Sequence, residues 1–127
     1  MKLVPADHPL HLAGFCGRVS WASALLKYFP GMVVGISGTL TFTKMKPILA
    51  ELAFDLPLDQ LIFETHGPRV PPTTALSDPK SSRDAFSHPK LVWFIAQQLA
   101  EVKKGPSAEE LLQASWANVQ RIYSIAS

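Results

Sequence analysis

Charge is scarce in this sequence: Asp, Glu, Lys and Arg make up 17% of its 127 residues, against roughly 25% in an ordinary soluble domain. A surface so poor in solubilising charge is expected to be covered in part by another polypeptide. Cysteine is scarcer still. Cys16 stands alone, which excludes an internal disulfide and any Cys-x-x-Cys zinc pair and points to a reducing, intracellular compartment, the cytoplasm first, with an organelle left open. Long hydrophobic runs are missing as well. None approaches the ~20 residues that a membrane-spanning helix needs, so no membrane partner is expected. The opening MKLVPADHPLHLAGF is broken by Pro5, Asp7, His8 and Pro9 before a signal-peptide core develops. Nor does charge of one sign dominate: 12 basic against 10 acidic residues give a net +2, without the basic run that would mark a nucleic-acid-binding arm.

What the chain does have is apolar material, 47% of its residues with a mean hydropathy of +0.14, enough for the core of one domain over residues 1–127. The apolar residues fall into short runs alternating with helical spacings. Leu10 to Phe15, bounded by Pro9 and Gly17, predicts a first strand. Ala22, Leu25, Leu26 and Phe29 recur at helical intervals until Pro30-Gly31. Met32 to Ser37 is apolar on both parities, as in a strand covered on both faces of a parallel sheet. A second helix follows through Met45, Ile48, Leu49 and Leu52, with Thr43 as candidate cap, and a third strand starts at Leu61 and runs to residue 65. The stretch 67–88 is rich in Pro and Ser and reads as a long loop of the kind that builds functional sites. Helices are expected over 89–103 and 108–125, the latter opened by the capping-box pattern Ser107-x-x-Glu110.

The result is an α/β chain of parallel β/α units. Three such strands cannot close a barrel, which takes about eight, so two sheet edges and an apolar face remain to be covered, by self-association or by a partner.

Several segments carry a family pattern: Gly14-Phe15-Cys16-Gly17, Gly35-Ile36-Ser37-Gly38-Thr39-Leu40-Thr41-Phe42, Pro57-Leu58-Asp59-Gln60-Leu61-Ile62-Phe63-Glu64-Thr65, and Asn118-x-x-Arg121-Ile122-Tyr123. On these motifs, which span nearly the whole chain, the sequence resembles the TatD-related deoxyribonucleases. The resemblance implies the last three units of a TIM-type (β/α)₈ barrel, metal-dependent hydrolysis of phosphodiester bonds in DNA, and a divalent metal held at the C-terminal ends of the strands. It also implies that the earlier metal ligands belong to units outside this sequence. Of the two ligand positions inside it, one carries Ala13 in place of the family's His and the other carries His66 in place of its Asp.

Those exchanges weigh unequally. Ala13 offers no donor atom. His66 can ligate a transition metal through an imidazole nitrogen, yet it lacks the anionic oxygen that Mg²⁺ or Ca²⁺ prefers. It is read either as a surviving metal ligand or as a polar residue filling a lapsed site. Glu64 would orient residue 66 from behind. His11 shares a parity with Ala13 but lies two residues, ~6.6 Å, further into the barrel, and is expected to be too deep to act. Cys16 is expected to be a small buried hydrophobe, and Arg69 and Arg83 are candidate phosphate contacts. Trp93, Phe94, Trp116 and Tyr123 are expected to pack in the core of their helices rather than stack bases. His8 and His88 have no role. The functional expectation is a degenerate or partial TatD-like hydrolase, inactive alone and serving as a structural or assembly component. Its alternative is a metal-dependent deoxyribonuclease or phosphodiester hydrolase completed by a partner chain or an N-terminal half. A gene fragment without independent function is a third.

Overall fold

A computed structural model describes residues 4–78 and 85–126. Its centre is a parallel sheet in the order β1-β2-β3, formed by β1 (His11–Leu12), β2 (Val33–Ile36) and β3 (Leu61–Phe63). His11 pairs with Val33, and Gly35 with Ile62. Four helices accompany it: α1 (Val19–Tyr28), α2 (Lys46–Asp55), α3 (Val92–Lys103) and α4 (Ala108–Tyr123). The parallel β/α alternation read from periodicity is therefore present. So is its incompleteness, since three strands leave the sheet open.

Side chains alternate across a strand, and paired residues share a face. Val34, Ile36, Leu61 and Phe63 point into a core completed by Ala22 of α1, Leu49, Leu52 and Ala53 of α2, Ile95, Ala96 and Leu99 of α3, and Leu111 of α4. Gly35 and Ile62 therefore sit on the opposite face, the inner one if the sheet were to curl into a barrel.

Each expected strand proves shorter. The run 10–15 supplies only His11–Leu12 because Ala13 and Gly14 turn away, Gly14 at φ +58°, a conformation that glycine adopts without penalty. The run 61–65 stops at Phe63. α2 begins beyond Thr43, which does not cap it; Met45 stands at that position without a side-chain bond, and proline is accommodated in the first turn. The segment expected as one helix over 89–103 opens with a 3-10 turn, Pro89–Leu91, whose first free amide, Lys90 N–H, donates to His88 Nδ1. His88 is thus a local cap. Within the long loop a 3-10 turn spans Thr73–Ala75 and is tied to Thr41, whose Oγ1 accepts from Thr73 N–H.

α4 has the capping box that its sequence predicts: Ser107 Oγ accepts from Glu110 N–H, and Glu110 Oε2 accepts from Ser107 N–H at 2.7 Å. Ser107→Ala is expected to cost about 1 kcal/mol in urea unfolding. The Ser107 hydrogen bonds hold the Glu110 carboxyl below the ordinary carboxylate range. The stabilisation from the ionised carboxylate is therefore present above that range and lost as pH falls through it. The stability difference between the protein and Glu110→Gln should accordingly shrink on acidification.

The inner-facing side of α4 carries polar groups that finish the sheet. In β3 the Leu61 carbonyl and the Phe63 amide point away from β2. Ser115 Oγ accepts from Phe63 N–H at 2.8 Å, and Asn118 Nδ2 donates to Leu61 O and Leu58 O. Arg121 donates to Asp59 O and Gly31 O. One edge of the sheet is thereby closed by a helix of the same chain. With Ser115 and Asn118 occupying the buried stripe of α4, its aromatic residues fall outside it. Trp116 and Tyr123 are more than half exposed and Trp93 is also exposed, contrary to their expected place in the core.

Candidate functional site

The C-terminal ends of the strands bring together two small polar clusters. The first is built on Glu64, which follows β3 and is 17% exposed. Its carboxylate lies across Gly35 of β2 so closely that a Cβ there would overlap Oε1, Oε2 and Cδ. A side chain at residue 35 would push this carboxylate aside, and glycine leaves it in place. Glu64 Oε1 accepts from Gly14 N–H, and Oε2 lies 3.1 Å from His11 Nε2, a close approach without an aligned hydrogen bond. The other ring nitrogen of His11, Nδ1, is 2.7 Å from the Tyr123 hydroxyl, with the two rings edge to face. His11 is therefore not too deep to take part. Its side chain reaches along the inner face to the carboxylate, a distance that Cα spacing along the strand does not reveal.

The second cluster is built on His66, which is exposed on the loop beyond β3. Its Nε2 lies 3.0 Å from Ser37 Oγ, and Ser37 Oγ lies 2.9 Å from Thr39 Oγ1 and also accepts from Thr39 N–H. A Cβ on Gly14 would stand 3.3 Å from His66 Cε1 and 3.7 Å from Glu64 Oε1, so Gly14 is the wall shared by both clusters. Cys16 donates to Gly14 O and approaches Thr39 Oγ1. It is exposed rather than a buried hydrophobe, because the chain has already left the sheet at Ala13.

The structure places Glu64 and His66 on either side of Gly14 at the strand ends, without a hydrogen bond between them, and adds His11, Tyr123, Gly35 and Ser37. A glycine inside an otherwise β-branched apolar run was the available signal for a close approach at Gly35. No short-range pattern marks the His11–Tyr123 contact. Arg69 is exposed beside this site, its backbone N–H donating to His66 O. Arg83 lies outside the described residues. Ala13 is exposed in the turn after β1.

A serine bonded to a histidine can be a nucleophile with its base, but Ser37 is 3% exposed and held by Thr39, so its hydroxyl is not presented to a substrate. Nor does the donor set fit a divalent metal. Glu64 supplies the carboxylate of the two clusters, with Oε1 bonded to Gly14 N–H, His66 Nε2 faces Ser37, and Ala13 has nothing to offer. Among the described residues no three His, Cys, Asp or Glu side chains converge closely enough to hold an ion.

Comparison with known proteins places this geometry. Residues 3–124 match the family model described as "TatD related DNase". The chain is 34% identical over 124 residues to the human "3'-5' RNA nuclease TATDN2", covering 98% of this chain and 16% of that protein. Among solved structures it resembles YJJV, a TATD homolog from Escherichia coli, with a TM-score of 0.74, 23% identity, and 92% of this chain covering 41% of the other. It also resembles an uncharacterized amidohydrolase from Saccharomyces cerevisiae, with a TM-score of 0.70, 17% identity, and 92% of this chain covering 40% of the other. The chain therefore spans about two fifths of the structures it matches and a smaller share of the nuclease.

Proposed function

This chain belongs to the TatD-related DNase family, and we propose that by itself it is a non-catalytic member, a structural or assembly component descended from a metal-dependent hydrolase. The observation that carries this reading is the arrangement of its strand-end side chains: Glu64 bonded to Gly14 N–H, His66 beside Ser37, and a methyl group at residue 13. A hydrolytic centre needs several converging ligands and open coordination positions for metal and water, and here residue 13 has no donor while Glu64 Oε1 and His66 Nε2 are turned to Gly14 and Ser37.

The test is incubation of the purified chain with single-stranded DNA and RNA in Mg²⁺, Mn²⁺ or Zn²⁺, with metal content measured in parallel. No metal-dependent cleavage and no stoichiometric metal are expected. Turnover that disappears in His66→Ala would overturn the reading.

A second reading draws on the identity to a named RNA nuclease along nearly the whole chain. Here another polypeptide, or preceding units of the same one, supplies the remaining ligands. His66 then turns toward the metal, Glu64 steadies it, and Arg69 and Arg83 contact phosphate. On this reading RNA joins DNA as the substrate, and cleavage appears only when the missing units are added.

A further inference from the structure

At the end of the sheet opposite the strand-end clusters, the C-terminus of α2 runs into the turn Leu58–Gln60 that opens β3. A groove of about 350 Å³ lies there, walled by Phe54, Pro57, Leu58 and Pro106, with Lys103 and Asp55 as its charged side chains. Phe54 and Leu58 are 59% and 38% exposed, so the walls are apolar and accessible. Lys103 ends α3 and is half-buried, while Lys104 beside it is exposed.

Lys103 Nζ donates to Leu56 O at 2.7 Å and to Phe54 O at 3.1 Å, carbonyls at the end of α2 where helical partners run out. These bonds fix the position of the nitrogen. In the neutral amine both N–H bonds turn to the carbonyls, which directs the lone pair away from them, and the groove gives a reactant access to it. The carbonyls accept from the ammonium as well, so they do not decide its charge. Burial does, and it holds the Lys103 amine below the ordinary lysine range, the Asp55 carboxylate partly opposing it. A desolvated lysine in apolar surroundings is a nucleophile near neutral pH. Neither strand-end cluster uses this residue.

We propose that Lys103 is a modification site, acylated on Nζ by an acyl thioester whose aliphatic chain lies along Phe54, Leu58 and Pro106. The lone pair attacks the thioester carbonyl carbon, the N–C bond forms, the C–S bond breaks, and the proton shed by nitrogen leaves with the thiolate. The product amide keeps one N–H, enough for one of the two carbonyls, so acylation loosens the brace between α3 and the end of α2. None of this depends on whether the strand ends hydrolyse anything.

The test is incubation of the folded chain with acetyl- or hexanoyl-coenzyme A near neutral pH, followed by peptide mass mapping with Lys104 as the internal reference. Lys103 should be acylated several-fold faster than Lys104. The preference should be about tenfold larger with the hexanoyl thioester, since each of its four extra methylenes, half-buried in an open groove, counts for about twofold. It should shrink as pH is raised into the ordinary lysine range, where amines are deprotonated generally. Phe54→Ala, a change at an exposed position, should remove most of the chain-length dependence and leave the rate at Lys104 unchanged. Equal rates at the two lysines, or equal preference with both thioesters, would overturn the proposal. So would a preference that survives in urea, because it would then arise from local sequence rather than from the groove. Chain-length dependence that persists in Phe54→Ala would overturn the placement of the chain.

Discussion

Replacing Asn118 with alanine is expected to destabilise the protein by about 2–4 kcal/mol, because one substitution strips the buried Leu61 carbonyl of its donor at ~1–3 kcal/mol and the part-buried Leu58 carbonyl of a hydrogen bond at ~0.5–1.5 kcal/mol. Asn118 is 4% exposed. Its Nδ2 donates to Leu58 O at 2.8 Å and to Leu61 O at 2.7 Å, and its Oδ1 lies 3.4 Å from Arg121 Nη2. The residue therefore joins α4, the turn before β3 and β3 itself. Asn118→Asp is the sharper probe. It keeps the shape but offers only acceptor oxygens to two carbonyls, so it should cost at least as much as alanine. Urea unfolding with an unchanged m-value would measure both losses as shifts in midpoint. A loss below ~1 kcal/mol for both would mean that water serves those carbonyls equally well and that α4 does not seal the edge.

The second large effect is expected at Gly35. A methyl group there overlaps the Glu64 carboxylate, so Gly35→Ala forces Glu64 off Gly14 N–H and away from His11, at a cost of about 1–3 kcal/mol. The cause can be isolated, because truncating Glu64 removes what the new methyl would strike. Gly35→Ala in a Glu64→Ala background should cost far less than in the parent, with a coupling of ~1–2 kcal/mol in the double-mutant cycle. Additive losses would show instead that the strand backbone at residue 35 is what requires glycine. The result bears on function. If Glu64 is held over Gly35 by Gly14 and His11, it is a structural anchor between strand ends rather than a group awaiting a metal.

The architecture was legible in the sequence because its causes are local. The apolar parity of Met32 to Ser37 and the helical recurrence from Ala22 to Phe29 arise within single elements, and they mark β2 and α1 to within a few residues. The Ser107–Glu110 box was equally readable, since both partners lie within one turn. The motifs around Gly14, Gly35 and Glu64 carried the family, and the family carried the expectation of an unfinished barrel. Errors fell where a residue's fate depends on distant chain. Trp116 and Tyr123 look like core residues from helical spacing, but α4 gives its buried stripe to Ser115 and Asn118, whose partners are 52 and 57 residues away. Cys16 looks buried until β1 ends early.

The sequence by itself determined the order of strands and helices, the loss of a donor at Ala13, the exchange to His66 and the shortage of charge, because these are properties of residue type and short-range pattern. Only the tertiary structure decided that His11 reaches Glu64 and Tyr123, that Ser37 occupies His66, and that one edge of the sheet is closed while the other is open. Those facts depend on which side chains meet when elements far apart in the chain are packed together, and a hydrogen bond across 112 residues leaves no periodic trace in the sequence that makes it.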